Sequence, residues 1–185
     1  MIQIVIVGVG GQGTLLASKI LGHIAVSSGL DAKVSEVHGM SQRGGSVITH
    51  VRIAKAGETV YAPLVEQGGA DAVLAFERLE ALRALPYLKA GGTMILNDQK
   101  ILPMPVITGA AKYPEDALST IRSSAKTIAV DALSVAVACG GAKAANVVML
   151  GVLSKLLPFA PGLYEDALRA LIKPKFIDLN LDAFA

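Results

Sequence analysis

The residues best suited to chemistry form two glycine-rich loops, and the first loop follows a buried strand pattern. The run Ile2–Val7 is apolar and mostly β-branched, and the next six residues, Gly8-Val9-Gly10-Gly11-Gln12-Gly13, fit the pattern G-x-G-x-x-G. Glycines permit a tight turn, and free N–H groups at the start of a helix attract an anion. The pattern therefore predicts either a loop that binds a phosphate or another anion, or a turn that only packs strand against helix. The residues of this candidate loop are Gly8, Gly10, Gly11, Gln12, Gly13 and Thr14.

An acid in the second strand pattern permits another interpretation of the first loop. Glu36 lies where a dinucleotide-binding protein places the acid that binds the ribose. The protein would then be a freestanding NAD(P)-binding dehydrogenase. Against this, the strand pattern Ala32–Val37 contains Lys33 and Ser35, is less apolar than a central strand, and has no catalytic partner set after it. A non-catalytic nucleotide-binding or scaffold module is a third interpretation.

The second loop follows the second strand pattern and contains an arginine between small and polar residues. The guanidinium of Arg43 could bind a phosphate or a carboxylate through two hydrogen bonds, and the glycines beside it would let another chain approach closely. The residues predict a loop that binds such an anion; the alternative is a surface loop with a solvated arginine. The residues of this candidate loop are His38, Ser41, Gln42, Arg43, Gly44, Gly45 and Ser46.

Four other side chains could take part in chemistry, and a structural role is the simpler interpretation of each. His50 lies in an alternating strand pattern and His23 on the first predicted helix. Cys139 lies in an apolar run and should be a small buried side chain. Asn146, at the start of an apolar helix, could bond across an interface or to its own backbone. We expect no catalytic residue and no metal site in this chain.

Strand patterns alternate with helical patterns along the chain, which predicts a parallel sheet covered by helices. The fold predicted is α/β, a Rossmann-like three-layer domain with a mostly parallel sheet and a β-hairpin insertion, and residues 1–185 form one domain. Because parallel strands end at one edge of a sheet, the two loops should lie on the same edge. The strands predicted are 2–7, 32–37, 46–53, 58–61, 71–76, 93–97, 105–109 and 127–130, and the helices are 14–27, 77–89, 114–125, 143–157 and 162–172.

Three details of this assignment depend on local signals alone. Ser46–Ile53 and Glu58–Tyr61 should form the hairpin, turning at Lys55-Ala56-Gly57. Pro86 should interrupt the helix over 77–89. The tail after Pro174 gives only a weak pattern.

The composition excludes some partners and favours others. There are 17 Lys and Arg against 15 Asp and Glu, so a net charge of +2 gives no basic surface for nucleic acid. The mean hydropathy is +0.54 with 17% charged residues, which is apolar for a monomer and predicts a protein interface. The sequence has no signal-peptide pattern and no apolar run of the ~20 residues that span a membrane. We expect a cytoplasmic protein that contacts no membrane.

The two loops, together with later segments in the same order, resemble a known family. The later segments are Tyr61-Ala62-Pro63 ahead of Ala70–Glu77, then Tyr87-Leu88-Lys89 ahead of Gly91-Gly92, then Lys143–Gly151. The set is similar to the gamma subunit, or equivalent domain, of 2-oxoacid:ferredoxin oxidoreductases. The stretch His38–Val47 resembles the indolepyruvate branch of that family, where this piece is the beta subunit. The resemblance covers about residues 1–157.

The resemblance implies a function within a complex. Members of the family decarboxylate a 2-oxoacid oxidatively to an acyl-CoA and pass the electrons to ferredoxin, in pyruvate metabolism and related pathways. The complex uses thiamine diphosphate, magnesium, iron–sulfur clusters and coenzyme A. One cysteine cannot supply the four thiolates of a cluster, and the chain lacks the Gly-Asp-Gly…Asn segment of a thiamine subunit. The resemblance therefore implies an oxidoreductase subunit that binds none of these cofactors alone and is inactive alone.

The resemblance also implies partners for the two loops. The chain should pack against the subunit that carries the thiamine diphosphate and the iron–sulfur clusters, and it should reach ferredoxin through that complex. The assembly is a hetero-oligomer, and a dimer of heterodimers is one arrangement. Both loops would face the active site or the path of coenzyme A, excluding water from the reactive intermediates. The 2-oxoacid is an indolepyruvate or arylpyruvate only by resemblance.

Overall fold

The computed structural model of the chain describes residues 1–39 and 44–185. Its six strands are β1 (Ile2–Val9), β2 (Ala32–His38), β3 (Ser46–Ile53), β4 (Ala70–Ala75), β5 (Leu88–Asn97) and β6 (Lys126–Val130). They form one sheet in the order β2-β3-β1-β4-β5-β6. Only β3 runs antiparallel to its neighbours, because β1, β4, β5 and β6 pair in parallel and β2 pairs antiparallel with β3. The predicted α/β fold with a mostly parallel sheet is confirmed.

Helices cover both faces of this sheet. They are α1 (Thr14–Ser27), α2 (Arg78–Ala84), α3 (Met104–Ile107), α4 (Ala117–Ser124), α5 (Ala132–Ala138), α6 (Ala145–Ser154), α7 (Pro161–Leu171) and α8 (Ile177–Phe184). Alternate side chains of β1 point to opposite faces, so Ile4 and Ile6 pack with α1 and α6 while Val5 and Val7 pack with α2 and α4. Both clusters are closed to solvent. This arrangement gives the three layers that the sequence predicts.

The hairpin of the sheet differs from the one predicted. Ser46–Ile53 pairs with β2, through a loop that includes Gly39 and Gly44-Gly45, and not with residues 58–61. The reason is that β3 lies between β2 and β1, so both of its backbone edges are already paired. Residues 58–61 run without regular structure, and the N–H of Val60 donates to Asp31 Oδ2 at 2.8 Å. This hydrogen bond is the main reason that the pKa of Asp31 is lowered.

Two segments that contain proline also differ from the prediction. Residues 105–109 were expected as a strand, but Met104–Ile107 is a short helix with Pro105 in its first turn, where a missing N–H costs nothing. The helix predicted over 77–89 ends at Ala84. A 3₁₀ turn over Leu85–Tyr87 contains Pro86 and leads directly into β5. Proline therefore marks both boundaries, although its local signal does not fix the type of element.

The C-terminal tail is more ordered than its weak pattern indicates. It forms a 3₁₀ turn at Pro174–Phe176 and then α8. The ring of Phe184 stacks on Tyr164 of α7 at a centroid distance of 5.2 Å. A Cβ at Gly151 of α6 would overlap the carbonyl oxygen of Phe184, so glycine lets α6 and α8 approach closely. Tertiary packing, and not local propensity, stabilises this helix.

In the described part of the chain, no helix has the length and apolar character needed to cross a membrane.

Candidate functional site

The candidate site lies at the carboxyl edge of the sheet, between β1 and β4. The chain leaves β1 for α1 on one face and leaves β4 for α2 on the other, so a crevice opens where the two connections diverge. Open α/β sheets bind ligands at such a switch point. Three segments meet there, namely the glycine loop 8–13, Phe76-Glu77 after β4, and Asn97-Asp98-Gln99 after β5.

The side-chain amide of Gln12 ties the glycine loop to the two neighbouring strands. Its Oε1 accepts a hydrogen bond from the N–H of Val9 at 2.7 Å. Its Nε2 donates to the carbonyl oxygen of Phe76 at 3.0 Å and to Gln99 Oε1 at 3.2 Å. Asn97 Nδ2 donates to the same two acceptors, each at 3.1 Å. Gln12 is therefore occupied in holding the loop.

The glycines of the first loop are required by the shape of the backbone. Gly11 and Gly13 have φ angles of 102° and 86°, which L-residues with a side chain rarely adopt. A Cβ at Gly8 would lie 2.9 Å from Gln12 Oε1. The N–H of Gly10 donates to the carbonyl oxygen of Gly45 at 2.9 Å. This bond joins the two predicted loops, so the structure brings them together on one edge as the sequence indicates.

Helix α1 begins directly behind this loop with its N-terminus open. Within the described residues, no side chain caps it, and its first turn contains no acid. The first turn of any helix leaves N–H groups without intrahelical partners and carries a partial positive charge. Thr14, the first residue of α1, is buried. An anion at this point would be stabilised by the helix N-terminus.

A cavity of about 380 Å³ opens in front of this helix end. The loop residues Gly11 and Gly13 line one side, and Gln99, Lys143 and Asn146 line the other. Lys143 is exposed and brings a positive charge. The helix end and the lysine together suit a phosphate or carboxylate group.

Asn146 is the most informative side chain of the cavity. It is only 7% exposed, and its Oδ1 has no hydrogen-bond partner among the residues that the structure describes. Its Nδ2 donates to the carbonyl oxygen of Gly13 at a long 3.4 Å. A buried acceptor without a partner is rare in folded proteins and needs an explanation. A bound group that donates an N–H or O–H would supply the missing partner.

A second cavity of about 580 Å³ adjoins the first through Ala142, Lys143 and Asn146. Its wall is mainly apolar and comes from α1, the end of α7 and the C-terminal tail. The apolar residues are Leu16, Leu171, Ile172, Phe176 and Leu179. The two cavities together could hold an elongated ligand with an anionic part and an apolar part.

The described ends of the second loop are fixed by hydrogen bonds. The N–H of Gly39 donates to the carbonyl oxygen of Ser46 at 2.9 Å, and Ser46 Oγ donates to the carboxylate of Glu80. His38 Nε2 lies 2.6 Å from Glu36 Oε1 on the exposed side of β2. Three predicted residues of this loop, Ser41, Gln42 and Arg43, lie outside the described residues.

Glu36 does not have the placement of a ribose-binding acid. In a dinucleotide fold, that acid follows the strand beside β1, whereas here β3 lies between β1 and β2. Adjacent strands are about 4.8 Å apart, so the intervening strand moves Glu36 away from the glycine loop. Its Oε2 also accepts a hydrogen bond from Thr49 Oγ1 at 3.0 Å. The geometry argues against the dinucleotide interpretation.

Sequence reasoning missed two buried acids beside the crevice, Glu77 and Glu80. Glu77 is the second residue after β4 and caps α2 by accepting the N–H of Glu80 at 3.0 Å. It also accepts from the N–H of Ile101 at 3.1 Å and from the Tyr113 hydroxyl at 2.5 Å. Burial and then this hydrogen bond raise the pKa of Tyr113. Glu80 has the spacing of the acid in a capping box, but glutamate is not a usual N-cap residue, so the sequence carries only a partial signal for the role of Glu77.

The remaining candidates lie away from the crevice or serve the fold. His50 is buried, and its Nδ1 accepts the N–H of Val65 at 3.2 Å. Burial lowers the pKa of His50, which keeps the ring neutral. Cys139 is a free, half-buried thiol in the turn after α5. Among residues 1–39 and 44–185, no three His, Cys, Asp or Glu side chains are grouped so that they could hold a metal ion.

The sequence and the fold both match known proteins. Residues 3–185 match the family model "Pyruvate ferredoxin/flavodoxin oxidoreductase". The chain is 43% identical to the indolepyruvate oxidoreductase subunit IorB of Archaeoglobus fulgidus, over 98% of this chain and 91% of the relative. The same subunit of Thermococcus kodakarensis is also 43% identical, over 98% and 92%. The fold is similar to a keto/oxoacid ferredoxin oxidoreductase gamma subunit from Geobacter sulfurreducens, with a TM-score of 0.73, 24% identity, and coverage of 100% of this chain and 94% of that one.

Proposed function

The chain belongs to the pyruvate ferredoxin/flavodoxin oxidoreductase family and is a subunit of a 2-oxoacid:ferredoxin oxidoreductase, and we propose that it closes a reaction centre whose cofactors another subunit carries. The reaction would be the oxidative decarboxylation of indolepyruvate or a related arylpyruvate to an acyl-CoA, with electrons passed to ferredoxin. The names of the relatives from Archaeoglobus and Thermococcus support this choice of 2-oxoacid. The resemblance of the chain to this family, predicted from the sequence, is confirmed by these matches.

The observation that carries the proposal is the buried Oδ1 of Asn146 in the cavity before α1, which has no hydrogen-bond partner in residues 1–39 and 44–185. Coenzyme A carries phosphates, amide N–H groups and a long, flexible chain. The open N-terminus of α1 and Lys143 suit its phosphates, and Asn146 Oδ1 suits one of its N–H groups. The adjoining apolar cavity suits a less polar part of the molecule. Coenzyme A therefore fits the residues present.

The other cofactors of the proposed reaction do not fit this chain. The sequence has one cysteine, whereas an iron–sulfur cluster needs four thiolates. The polar residues after β5, Asn97 and Gln99, are already occupied by hydrogen bonds within the edge. Thiamine diphosphate with its magnesium ion and the clusters would belong to the partner subunit, and the carbon–carbon bond would be broken there.

This chain would bind and orient coenzyme A or the 2-oxoacid, and it would exclude water from the shared site. The N–H of Gly10 in the loop 8–13 donates to the carbonyl oxygen of Gly45 at the described end of the second loop, so these two segments can face a partner as one surface. Water excluded by that surface would strengthen the electrostatic contacts inside the shared site. Arg43 in the second loop would bind the carboxylate of the 2-oxoacid or a phosphate of coenzyme A.

The partner would be the subunit that holds the thiamine diphosphate, and ferredoxin would be reached through the complex. Exposed apolar side chains on α3 and α5, among them Met104, Ile107, Leu133 and Val137, support a protein interface near the crevice. A dimer of heterodimers in the cytoplasm is the arrangement we propose, with residues 1–185 as one domain in each copy.

Titration of the purified chain with nucleotides distinguishes this proposal from its alternatives. We expect coenzyme A to bind in the presence of the partner subunit and NAD(H) or NADP(H) not to bind. Tight binding of NAD(H), with turnover by the chain alone, would instead establish a freestanding dehydrogenase. Assembly with the partner that changes no rate would establish a scaffold module.

The Arg43→Ala variant tests the second loop in the assembled complex. We expect it to raise the KM for coenzyme A or for the 2-oxoacid, because a charge-assisted hydrogen bond to the bound molecule is lost. If both KM values stay unchanged, the loop contributes only packing contacts.

A further inference from the structure

Glu80 is a buried carboxylate that the proposed function does not use. Its side chain is 7% exposed and lies on α2, on the opposite face of the sheet from the coenzyme A cavity. Within the described residues, each of its two oxygens has one hydrogen-bond partner: Oε2 accepts from Ser46 Oγ, and Oε1 accepts from Arg83 Nη1 at 2.9 Å. Arg83 is itself more than half exposed, so the ion pair is weakened by water.

A gain in folding stability does not explain why the carboxylate of Glu80 is buried. Removing a charged group from water is costly, and two hydrogen bonds compensate a carboxylate only partly. Glu77, not Glu80, caps the helix, so α2 does not need the side chain of Glu80 for its first turn. Apolar residues in place of a buried ion pair are often neutral or stabilising, so the pair between Glu80 and Arg83 is weak evidence for a role in stability. The contacts that Glu80 makes with other segments therefore explain its presence better than folding stability does.

What Glu80 holds is the start of β3, at the end of the second loop. Ser46 is the first residue of β3, and its carbonyl oxygen accepts the N–H of Gly39, which closes the hairpin. The residue before it, Gly45, accepts the N–H of Gly10 in the first loop. The hydroxyl of Ser46 thus connects α2 to the point where the two glycine loops meet. Gly44, Gly45, Ser46 and Glu80 line a shared cavity of about 550 Å³.

We propose that Glu80 is a positioning residue that acts through Ser46: it holds the described end of the second loop, residues 44–46, against the first loop, so that the joined surface fits the reaction centre. This rests on the proposed function, because it assumes that the loops contribute to binding in the complex. Glu80 touches no substrate in this account; it acts through the hydroxyl of Ser46.

The test compares variants of Glu80 and Ser46 in the assembled complex. Glu80→Ala removes the contact, and we expect the KM for coenzyme A or for the 2-oxoacid to rise on the order of tenfold, since small displacements of a binding group have large effects. The kcat should stay close to that of the unmodified complex. Ser46→Ala should have the same effect, and the double variant should be no worse than Glu80→Ala, because both changes break one interaction.

Glu80→Gln is the rescue variant. A serine hydroxyl can accept as well as donate, so the glutamine could donate its amide N–H to Ser46 while its oxygen accepts from Arg83. We expect a KM close to that of the unmodified complex. Glu165→Ala, which removes an exposed acid of α7 far from the loops, is the control for loss of a charge.

The outcomes separate the two proposals. If the unmodified chain does not support turnover with its partner, the proposed function fails. If it does, and Glu80→Ala changes only the melting temperature while both KM values stay the same, the positioning role is wrong. Additive effects of Ser46→Ala and Glu80→Ala on KM would also contradict it.

Discussion

Asn146 packs its side-chain amide directly against the Cα of Gly13, although 133 residues separate them along the chain. A Cβ at Gly13 would overlap the amide of Asn146. The contact joins the start of α6 to the start of α1, and it leaves Asn146 Oδ1 buried beside the cavity. The glycine loop and the asparagine therefore form one structure, whose two parts can be tested separately.

Replacing Gly13 by alanine should destabilise the protein. The new Cβ would meet Asn146, and the φ angle of 86° would be strained for alanine. We expect the free energy of unfolding to fall by about 1–3 kcal/mol in urea denaturation. Gly162→Ala is the matched control, because a Cβ there meets open space within a helix, and it should cause no loss. Equal stability of the two variants would show that Gly13 is not constrained.

Replacing Asn146 by alanine should weaken the binding of coenzyme A to the assembled complex. The lost hydrogen bond should raise the Kd by about threefold to tenfold, measured by titration calorimetry. Gln67→Ala, which truncates an exposed amide elsewhere, should leave the Kd unchanged. A Kd for Asn146→Ala equal to that of the control would remove Asn146 from the binding site.

Replacing Tyr164 by phenylalanine should stabilise the protein. The Tyr164 hydroxyl is buried without a hydrogen-bond partner in the described residues, and burial raises its pKa. Removing it ends a desolvation cost and keeps the stacking on Phe184, so the free energy of unfolding should rise by about 1 kcal/mol. Tyr61→Phe, at a side chain that is 92% exposed, should change nothing. A loss of stability in Tyr164→Phe would mean that the hydroxyl does have a partner.

His50 should make the stability of the protein depend on pH. Burial lowers its pKa in the folded chain below the 6.5 of an ordinary histidine, so the unfolded chain binds the proton more readily. The neutral ring therefore contributes its full stabilisation above about pH 6.5. The free energy of unfolding falls as the pH drops below that value and stops falling below the lowered pKa. His50→Gln should lose less stability than the unmodified chain between pH 8 and pH 5 in denaturant titrations. Identical pH profiles of His50→Gln and the unmodified chain would show that burial does not lower the pKa of His50.

Local patterns predicted the sheet and the edge on which the loops meet. The apolar run Ile2–Val7, the glycines after it and the helical spacing from Thr14 all indicate the same strand–loop–helix unit, and the structure has it. The approach of Gly10 to Gly45 follows from both loops ending parallel strands. The strand–loop–helix unit depends on residues that are neighbours in the chain, and the meeting of the two loops depends only on the direction of the strands that precede them.

Features that depend on distant residues could not be predicted. The hairpin partner predicted for Ser46–Ile53 was wrong. The pattern of one strand does not reveal that β1 and β2 pair with the two edges of β3. The contact between Gln12 and Gln99 joins segments 87 residues apart, and no local signal records it. The strand predicted over residues 105–109 was wrong. A short apolar run with one proline in it and another just before it suits an extended segment as well as one helical turn.

The most direct test of the account measures ferredoxin reduction while this chain is added stepwise to the thiamine-bearing partner, with indolepyruvate and coenzyme A present. The account predicts no reduction by this chain alone and a rate that rises with each addition until the two subunits reach a fixed ratio. Oxidation of the 2-oxoacid by this chain alone, or a full rate from the partner without it, would contradict the account.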